Sequence, residues 1–394
     1  MSGRAAVVYD DGLTRYNFGP GHPMAPIRVD LTMRLARSLG VFDDPDLQLV
    51  AVPTATDDEL GLVHTAPYIE TVKRLSDHPD ESDLVHGLGT EDDPVFEGMH
   101  DASAHIVGAT LEAARRVWRG DVLHALNVSG GLHHAMADTA SGFCIYNDPA
   151  IAIAWLLANG AERIAYVDID AHHGDGVQAA FYDDPRVLTI SLHESPRTLF
   201  PGTGYSSETG GPEASGCAVN VPLPPGTGDG GWLRAFHAVV PELVRSFAPD
   251  ILVSQHGCDS HVDDPLTHLM VSVDGQRAAH VALHDLAHEV TGGRWLATGG
   301  GGYAVFDVVP RSWTHLLAVV AGRPLDPSTS VPQDWLHYAA DLSGGHRPPS
   351  TLTDGMLPLY DDWSGGYNPD SWLDRSIAET RREVFPWHGI DVSY

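Results

Sequence analysis

The stretch Arg163-Ile164-Ala165-Tyr166-Val167-Asp168-Ile169-Asp170-Ala171-His172-His173-Gly174-Asp175-Gly176 runs from a continuous apolar strand straight into carboxylates and imidazoles. A strand with no polar alternation is one buried on both faces, as in a parallel sheet. Similar short runs recur at 5–9, 122–128, 187–193, 251–256 and 294–298. Between them lie segments of helical period at 26–39, 102–118, 149–158, 232–247 and 275–290. This alternation predicts an α/β chain with a mostly parallel central sheet and helices on both faces. In such sheets ligands bind beyond the carboxyl ends of the strands. Polar clusters stand at those ends: 168–175, His193, 256–264, and Gly299–Gly302 followed by Tyr303.

The 394 residues show no internal repeat and read as one unit, 1–394. Its core is expected over about 5–321, with an irregular tail over about 322–394 that is rich in Pro, Ser, Gly and Asp. An apolar fraction of 43% is ordinary for a globular protein. No run approaches the roughly 20 apolar residues of a membrane span. The first residues do not read as a signal peptide, so a cytoplasmic location is expected. Cys144, Cys217 and Cys258 are scattered and unpaired in spacing, which argues against a disulfide framework or an all-cysteine zinc site. With 23 basic and 53 acidic residues the formal charge is 23 − 53 = −30. Such a surface repels nucleic acid and anionic membranes and favours cationic substrates.

Strand alternation puts Asp168, Asp170 and His172 on one side. Buried together, they need a cation or a hydrogen-bond network. Carboxylate oxygen and imidazole nitrogen suit Zn²⁺, with Fe²⁺, Co²⁺ and Mn²⁺ as competitors. A third ligand can come from Cys258-Asp259-Ser260-His261-Val262-Asp263-Asp264-Pro265, at the end of another strand. Upstream, Ser129-Gly130-Gly131-Leu132-His133-His134 presents two imidazoles after a turn. Asp168 and Asp175 are available to orient them as a general acid–base pair. Four glycines before Tyr303 allow its hydroxyl to swing toward a carbonyl oxygen that is gaining negative charge.

With these motifs assembled, the chain resembles the zinc-dependent histone deacetylase superfamily. It looks like the class I-type bacterial branch that includes acetoin-utilisation deacetylases. The resemblance runs from about Tyr9 to about Leu317. It is carried by Gly21-His22-Pro23-Met24 with Arg28, Val63-His64 with Tyr68-Ile69, and Gly130 to Ala135. Further matches are Ser141-Gly142-Phe143-Cys144-Ile145-Tyr146-Asn147-Asp148, Asp168 to Val177, Phe200-Pro201-Gly202-Thr203-Gly204, Cys258 to Pro265, and Gly299 to Tyr303. It implies an arginase–deacetylase fold with an eight-stranded sheet and hydrolysis of the acetyl amide of acetyl-lysine in proteins. Acetylated polyamines or other small amides are the alternative substrates.

The same resemblance assigns zinc to Asp170, His172 and Asp264, the last chosen over Asp263 because it precedes proline. It pairs His133 with Asp168 and His134 with Asp175, and makes Tyr303 the electrophile. Phe143 and Phe200 would wall the acyl-lysine tunnel beside Gly142. Asp92 would grip the substrate backbone at the rim, Val271 would sit at a rim position that is usually larger, and Arg28 would line an acetate exit. A structural K⁺ would lie among Asp168, Asp170, His172, Ser191 and Leu192. An arginase-type ureohydrolase shares the Asp-Ala-His string but needs a carboxylate where Gly174 stands.

Overall fold

A computed structural model describes residues 5–392; the extreme ends of the expected 1–394 unit lie outside it. Eight strands form one sheet: β1 (Ala5–Val8), β2 (Leu47–Val50), β3 (His124–Asn127), β4 (Ile164–Asp168), β5 (Val187–Glu194), β6 (Ala218–Leu223), β7 (Ile251–Gln255) and β8 (Trp295–Thr298). Their order is β2-β1-β3-β8-β7-β4-β5-β6, and every pairing is parallel. All residues of β1, β3, β4, β5, β7 and β8 are buried. That is why these six read as unbroken apolar runs, and the expected α/β parallel architecture is the one observed.

The two strands not foreseen are the sheet's edges. In β2 only Leu47 is buried, so its four residues give no apolar run. β6 carries Pro222, which an edge strand tolerates because one side needs no ladder hydrogen bond. The helices Ala66–Asp77 and Val309–Val320 were also unread; in the second all twelve residues are buried, Arg311, Ser312, Thr314 and His315 among them, so its polar residues mark no solvent face.

The segment after Gly322 departs from the irregular tail that was expected. It contains helices Gln333–Leu342 and Trp372–Val384. Trp335 packs with Leu31, Leu35, Val331, Ala339 and Leu352 in a small second core, and its Nε1 donates to the Leu31 carbonyl at 2.9 Å. Thr380 donates to the Asn220 carbonyl at 2.6 Å and Ser376 to that of Pro222. These hydroxyls cover the outer edge of β6, the kind of edge that otherwise recruits other strands. The turn-forming composition belongs to the connections, while the buried tryptophan and the helical hydroxyls anchor the rest.

Strand register decides where the chemistry lies. Asn127, Thr298, Gln255, Asp168 and Ser191 are successive partners across β3, β8, β7, β4 and β5. This row is the carboxyl edge of the sheet, so the loops leaving it meet over one place.

Asp354 fastens a tail turn to this edge. It accepts from His261 Nε2 at 2.9 Å, Arg311 Nη1 at 2.7 Å and the Val273 amide at 2.7 Å. Burial opposes its charge, yet the His261 hydrogen bond and the Arg311 charge hold its carboxyl well below the usual range. Its stabilisation is therefore complete above the ordinary aspartate pKa of about 3.9 and fades as pH falls below that. Asp354→Ala is expected to cost about 3 kcal/mol in urea unfolding at pH 7, because Arg311 is left buried and unpaired. The difference from wild type should shrink as the pH is lowered below about 4.

Candidate active site

Two loops bring three ligand-bearing side chains together. Asp170 and His172 follow β4 and Asp259 follows β7; their ligand atoms lie within 4.8 Å of one another, and all three residues are buried. His172 Nδ1 is 3.1 Å from Asp170 Oδ1 and 2.9 Å from Asp259 Oδ2. The remaining oxygens are held: Asp170 Oδ2 accepts from Gln255 Nε2 and the Gly301 amide, both at 2.8 Å, and Asp259 Oδ1 accepts from the Ala171 amide at 2.8 Å. The backbone comes so close that a Cβ on Gly301 would stand 2.1 Å from Asp259 Oδ2, and one on Gly257 1.9 Å from Asp170 Oδ2. Burial and then the Asp170 charge push the Asp259 carboxyl up to about 8. Burial also opposes ionisation of Asp170, but His133 and His172 hold it well below the carboxylate range. Two carboxylates and an imidazole crowded out of water form an O,N,O donor set that a divalent cation satisfies.

Asp259 meets His172 directly, while Asp264, the expected third ligand, lies within electrostatic reach of His172 and Asp170, with its carboxyl raised to about 6, chiefly by burial. Asp264 Oδ2 accepts from the Tyr303 amide at 2.7 Å and Oδ1 from the Leu266 amide at 3.0 Å, which orients the carboxylate and leaves each oxygen a second lone pair. Asp263 points outward, its side chain 68% exposed. Asp259 comes four residues after Gln255, the end of β7, on the part of the loop nearest Asp170. Asp264 lies further along, and its bond to the Tyr303 amide ties it to the tyrosine loop.

Beside this triad, His133 Nδ1 lies 2.7 Å from Asp168 Oδ2 and His134 Nδ1 2.7 Å from Asp175 Oδ1. The two Nε2 atoms face each other at 3.1 Å. Burial works against a charge on His133, but the Asp168 and Asp170 carboxylates raise it to about 9. Burial, and then the charge of His133, lower His134. The dyad therefore holds one proton more readily than two, and a cation on Asp170 would lower His133 by cancelling part of its support.

Aromatic rings border the same place. Phe200 packs edge-on against His134 at 5.1 Å and lies 6.4 Å from His172, while Phe143 meets the Tyr303 ring at 5.7 Å. A Cβ on Gly142, at φ +54°, would stand 2.5 Å from the His134 ring and 2.9 Å from that of Phe200. Burial holds the Tyr303 phenol well above its usual pKa, with the Asp259 and Asp170 charges adding to this, so the hydroxyl remains a donor. Arg28 lies 5.8 Å from the Tyr303 ring centre and donates to the carbonyls of Gly300 and Gly302.

Residues 22–320 match the histone deacetylase domain. The chain is 44% identical over 326 residues to the acetoin utilization protein AcuC of Bacillus subtilis (strain 168), covering 82% of this chain and 83% of that protein. Over 326 residues it is 41% identical to the AcuC of Staphylococcus aureus (strain MSSA476), with the same two coverages. This chain belongs to the histone deacetylase family. The crystal structure of an HDAC homolog from Aquifex aeolicus matches with a TM-score of 0.82 at 29% identity, covering 96% of this chain and 100% of that one. The histone deacetylase chain thus has the arginase–deacetylase fold and belongs to a family of metal-dependent hydrolytic deacetylases. No helix among its described residues is long and apolar enough to cross a membrane.

The remaining site residues of this histone deacetylase chain are placed unevenly. Asp92 is exposed, and its carbonyl meets His22 Nε2 at 3.1 Å; the His22 ring packs on Phe143 at 4.6 Å, which sets Asp92 beside the aromatic wall. Val271, expected at the rim, is 1% exposed in a bridge with His261, whereas its neighbour Met270 is 53% exposed. Alternation in that extended segment turns 271 inward and 270 outward. Ser191 partners Asp168 across β4 and β5, while Leu192 is buried in the core.

Several supports had no legible role in the sequence. Gln255 reaches Asp170, the Tyr166 hydroxyl donates to Asp168 at 2.6 Å, and Asp148 accepts from the Gly131 and Leu132 amides. Tyr16 donates to the Phe143 carbonyl at 2.7 Å, and the buried Asp93 accepts from the Phe143 and Cys144 amides. Together these hold Phe143 at φ +69°, a conformation that side chains rarely adopt. Only Asn147-Asp148-Pro149 carried a signal, that of a helix start, with Asn147 capping the Ala150 amide.

Asp264→Asn is expected to weaken metal retention by more than the about 10- to 100-fold typical of losing a ligand's outer partner. Asp263→Asn should keep the metal, because its side chain points outward. Metal content after dialysis against a chelator checks both.

Proposed function

We propose that this chain hydrolyses the acetyl amide of acetyl-lysine in proteins, with Zn²⁺ held by Asp170, His172 and Asp264. The observation that carries the reading is the adjacency of two constellations: a buried carboxylate–imidazole cluster and a carboxylate-backed histidine dyad, bordered by Phe143, Phe200 and Tyr303. Zn²⁺, or Fe²⁺ in the cell, would polarise the amide carbonyl and lower the pKa of a bound water toward about 7.

The chain's own residues would supply the proton transfers. His134, with Nδ1 committed to Asp175, offers Nε2 to take a proton as the water oxygen attacks the carbonyl carbon. His133 accommodates positive charge beside it, backed by Asp168, and the dyad returns the proton to the amine nitrogen as the C–N bond breaks. The Tyr303 O–H would donate to the carbonyl oxygen as it becomes an oxyanion. Phe143 and Phe200 would flank the methylene stem of the substrate, Gly142 leaves room between them, and Asp92 would accept from its backbone at the rim.

Arg28, under the tyrosine loop, also lines a small cavity with Leu13, Tyr16, Met24 and Ile106, suited to releasing acetate. A structural K⁺ among Asp168, Asp170, His172, Ser191 and Leu192 is favoured by the side-by-side placement of Asp168 and Ser191. The charge of −30 favours a cationic partner, an acetylated protein or a small acetyl-amine, over nucleic acid or anionic membrane. Cys144, Cys217 and Cys258 are all unpaired, in keeping with work in a reducing cytoplasm.

Tyr303→Phe is expected to lower kcat by about 100- to 1,000-fold, the usual cost of one oxyanion donor, with metal content unchanged; wild-type turnover would remove Tyr303 from the mechanism. The substrate is tested by assaying an acetyl-lysine peptide beside acetylputrescine and acetylspermidine, with chelated and zinc-restored protein. Zinc-dependent peptide turnover is the expected result. Turnover of the polyamines alone would move the activity to small-molecule amides, and failure on all of them with metal bound would reject the reading.

A further inference from the structure

The opposite edge of the sheet carries a second cluster that the deacetylation chemistry does not use. His124 opens β3, while His284 and His288 stand one turn apart on the helix Val273–Thr291. One ring nitrogen from each lies within 4.8 Å of the others. The ring centres are 4.9 Å apart for His124–His284, 4.9 Å for His124–His288 and 4.6 Å for His284–His288. Two histidines at i and i+4 share one helix face, the spacing that lets a helix present two imidazoles to one ion.

Two of the rings are already oriented as ligands. His124 Nδ1 is 2.9 Å from the Val320 carbonyl, which can only accept, so Nδ1 carries the proton and the Nε2 lone pair faces His288 Nε2 at 3.0 Å. His284 Nδ1 lies 3.1 Å from Asp285 Oδ1, so that ring too presents Nε2. Metal-bound histidines are characteristically backed in this way, by a carbonyl or a carboxylate on the other nitrogen. Trp295 packs edge-on against His124 at 5.7 Å and His284 at 5.9 Å, limiting their rotation. A tetrahedral zinc with bonds of about 2.0–2.1 Å sets its nitrogen ligands about 3.3 Å apart, so the 3.0 Å pair needs to open by only a few tenths of an ångström. Without metal, the His124–His288 contact is a single N–H···N hydrogen bond, and a third imidazole adds a donor which that bond does not require.

We propose that His124, His284 and His288 bind one divalent transition-metal ion of the zinc class, at a site distinct from Asp170, His172 and Asp264. His288 is exposed, which leaves a further coordination position open to solvent. His124 is buried with Nδ1 engaged by the Val320 carbonyl, so its Nε2 presents a lone pair with no proton to displace. The charged groups nearby are Asp285, which backs His284, and Glu289, which is engaged by Arg245 on the neighbouring helix at 2.6 Å. The ion would tie β3 to the helix Val273–Thr291 and, through the Val320 carbonyl, to the helix before Gly322. It would therefore stabilise the fold by mass action.

The test is a zinc titration of chelator-stripped full-length protein against a chromophoric chelator, with melting temperature as a second readout. Wild type is expected to take two tight equivalents, H284Q/H288Q one, D264N one, and the combined triple variant none. H284Q/H288Q should keep wild-type turnover, and zinc should raise the melting temperature of D264N but not of the triple variant. Equal stoichiometry in wild type and H284Q/H288Q would overturn the site. One equivalent in wild type and none in H284Q/H288Q would uphold this site while rejecting zinc at the catalytic triad.

Discussion

Asp170 and Asp259 face a single imidazole in a space closed to water, and neither carboxylate could stay charged there without compensation. One is held well below the usual carboxylate range and the other is pushed up to about 8, the signature of two like charges competing for one pocket. The surroundings answer that constraint. Gln255, the Gly301 amide and the Ala171 amide donate to the oxygens turned away from His172. Gly257 and Gly301 remove the side chains that would otherwise occupy the same volume. The donors left facing inward are those that a cation would use.

The sheet makes that arrangement possible. A parallel sheet sends every carboxyl end in one direction, and the register puts the last residues of β3, β8, β7 and β4 in one row with Ser191 of β5, which runs on to Glu194. Loops leaving adjacent termini can then meet without long excursions. The histidine loop follows β3, the tyrosine loop β8, the Asp259 loop β7 and the Asp170–Asp175 segment β4. Supports such as Tyr166, Asp148 and Tyr16 work at a second remove, orienting the residues that face the pocket. Their polar atoms are satisfied within the protein, as buried groups must be.

Five helices and the six strands buried on both faces were legible in the sequence because burial pattern and residue type coincide there, whereas the helix Ala66–Asp77 went unread. β2 and β6 were not, since an edge strand needs neither a long apolar run nor freedom from proline. Val309–Val320 hid for the opposite reason, being buried on all sides. The tail misled through its composition: Pro, Ser, Gly and Asp mark turns, whereas the two helices between those turns are held by Trp335 and by the Ser376 and Thr380 hydroxyls, whose partners lie about 150 to 300 residues away.

The sequence by itself determined the α/β class, the sites of chemistry at strand ends, the histidine dyad with its two carboxylates, and the family. Each of these is local: a residue type at a fixed spacing from a strand whose apolar run can be read. Only the tertiary structure decided that Asp259 packs against the His172 imidazole and that Val271 turns inward. Loop geometry is set by which backbone amides lie within reach. The Tyr303 and Leu266 amides hold Asp264, which ties its loop to that of the tyrosine. The meeting of His124 with His284 and His288 is likewise a product of packing, for it joins residues 160 and more positions apart that carry no common pattern along the chain.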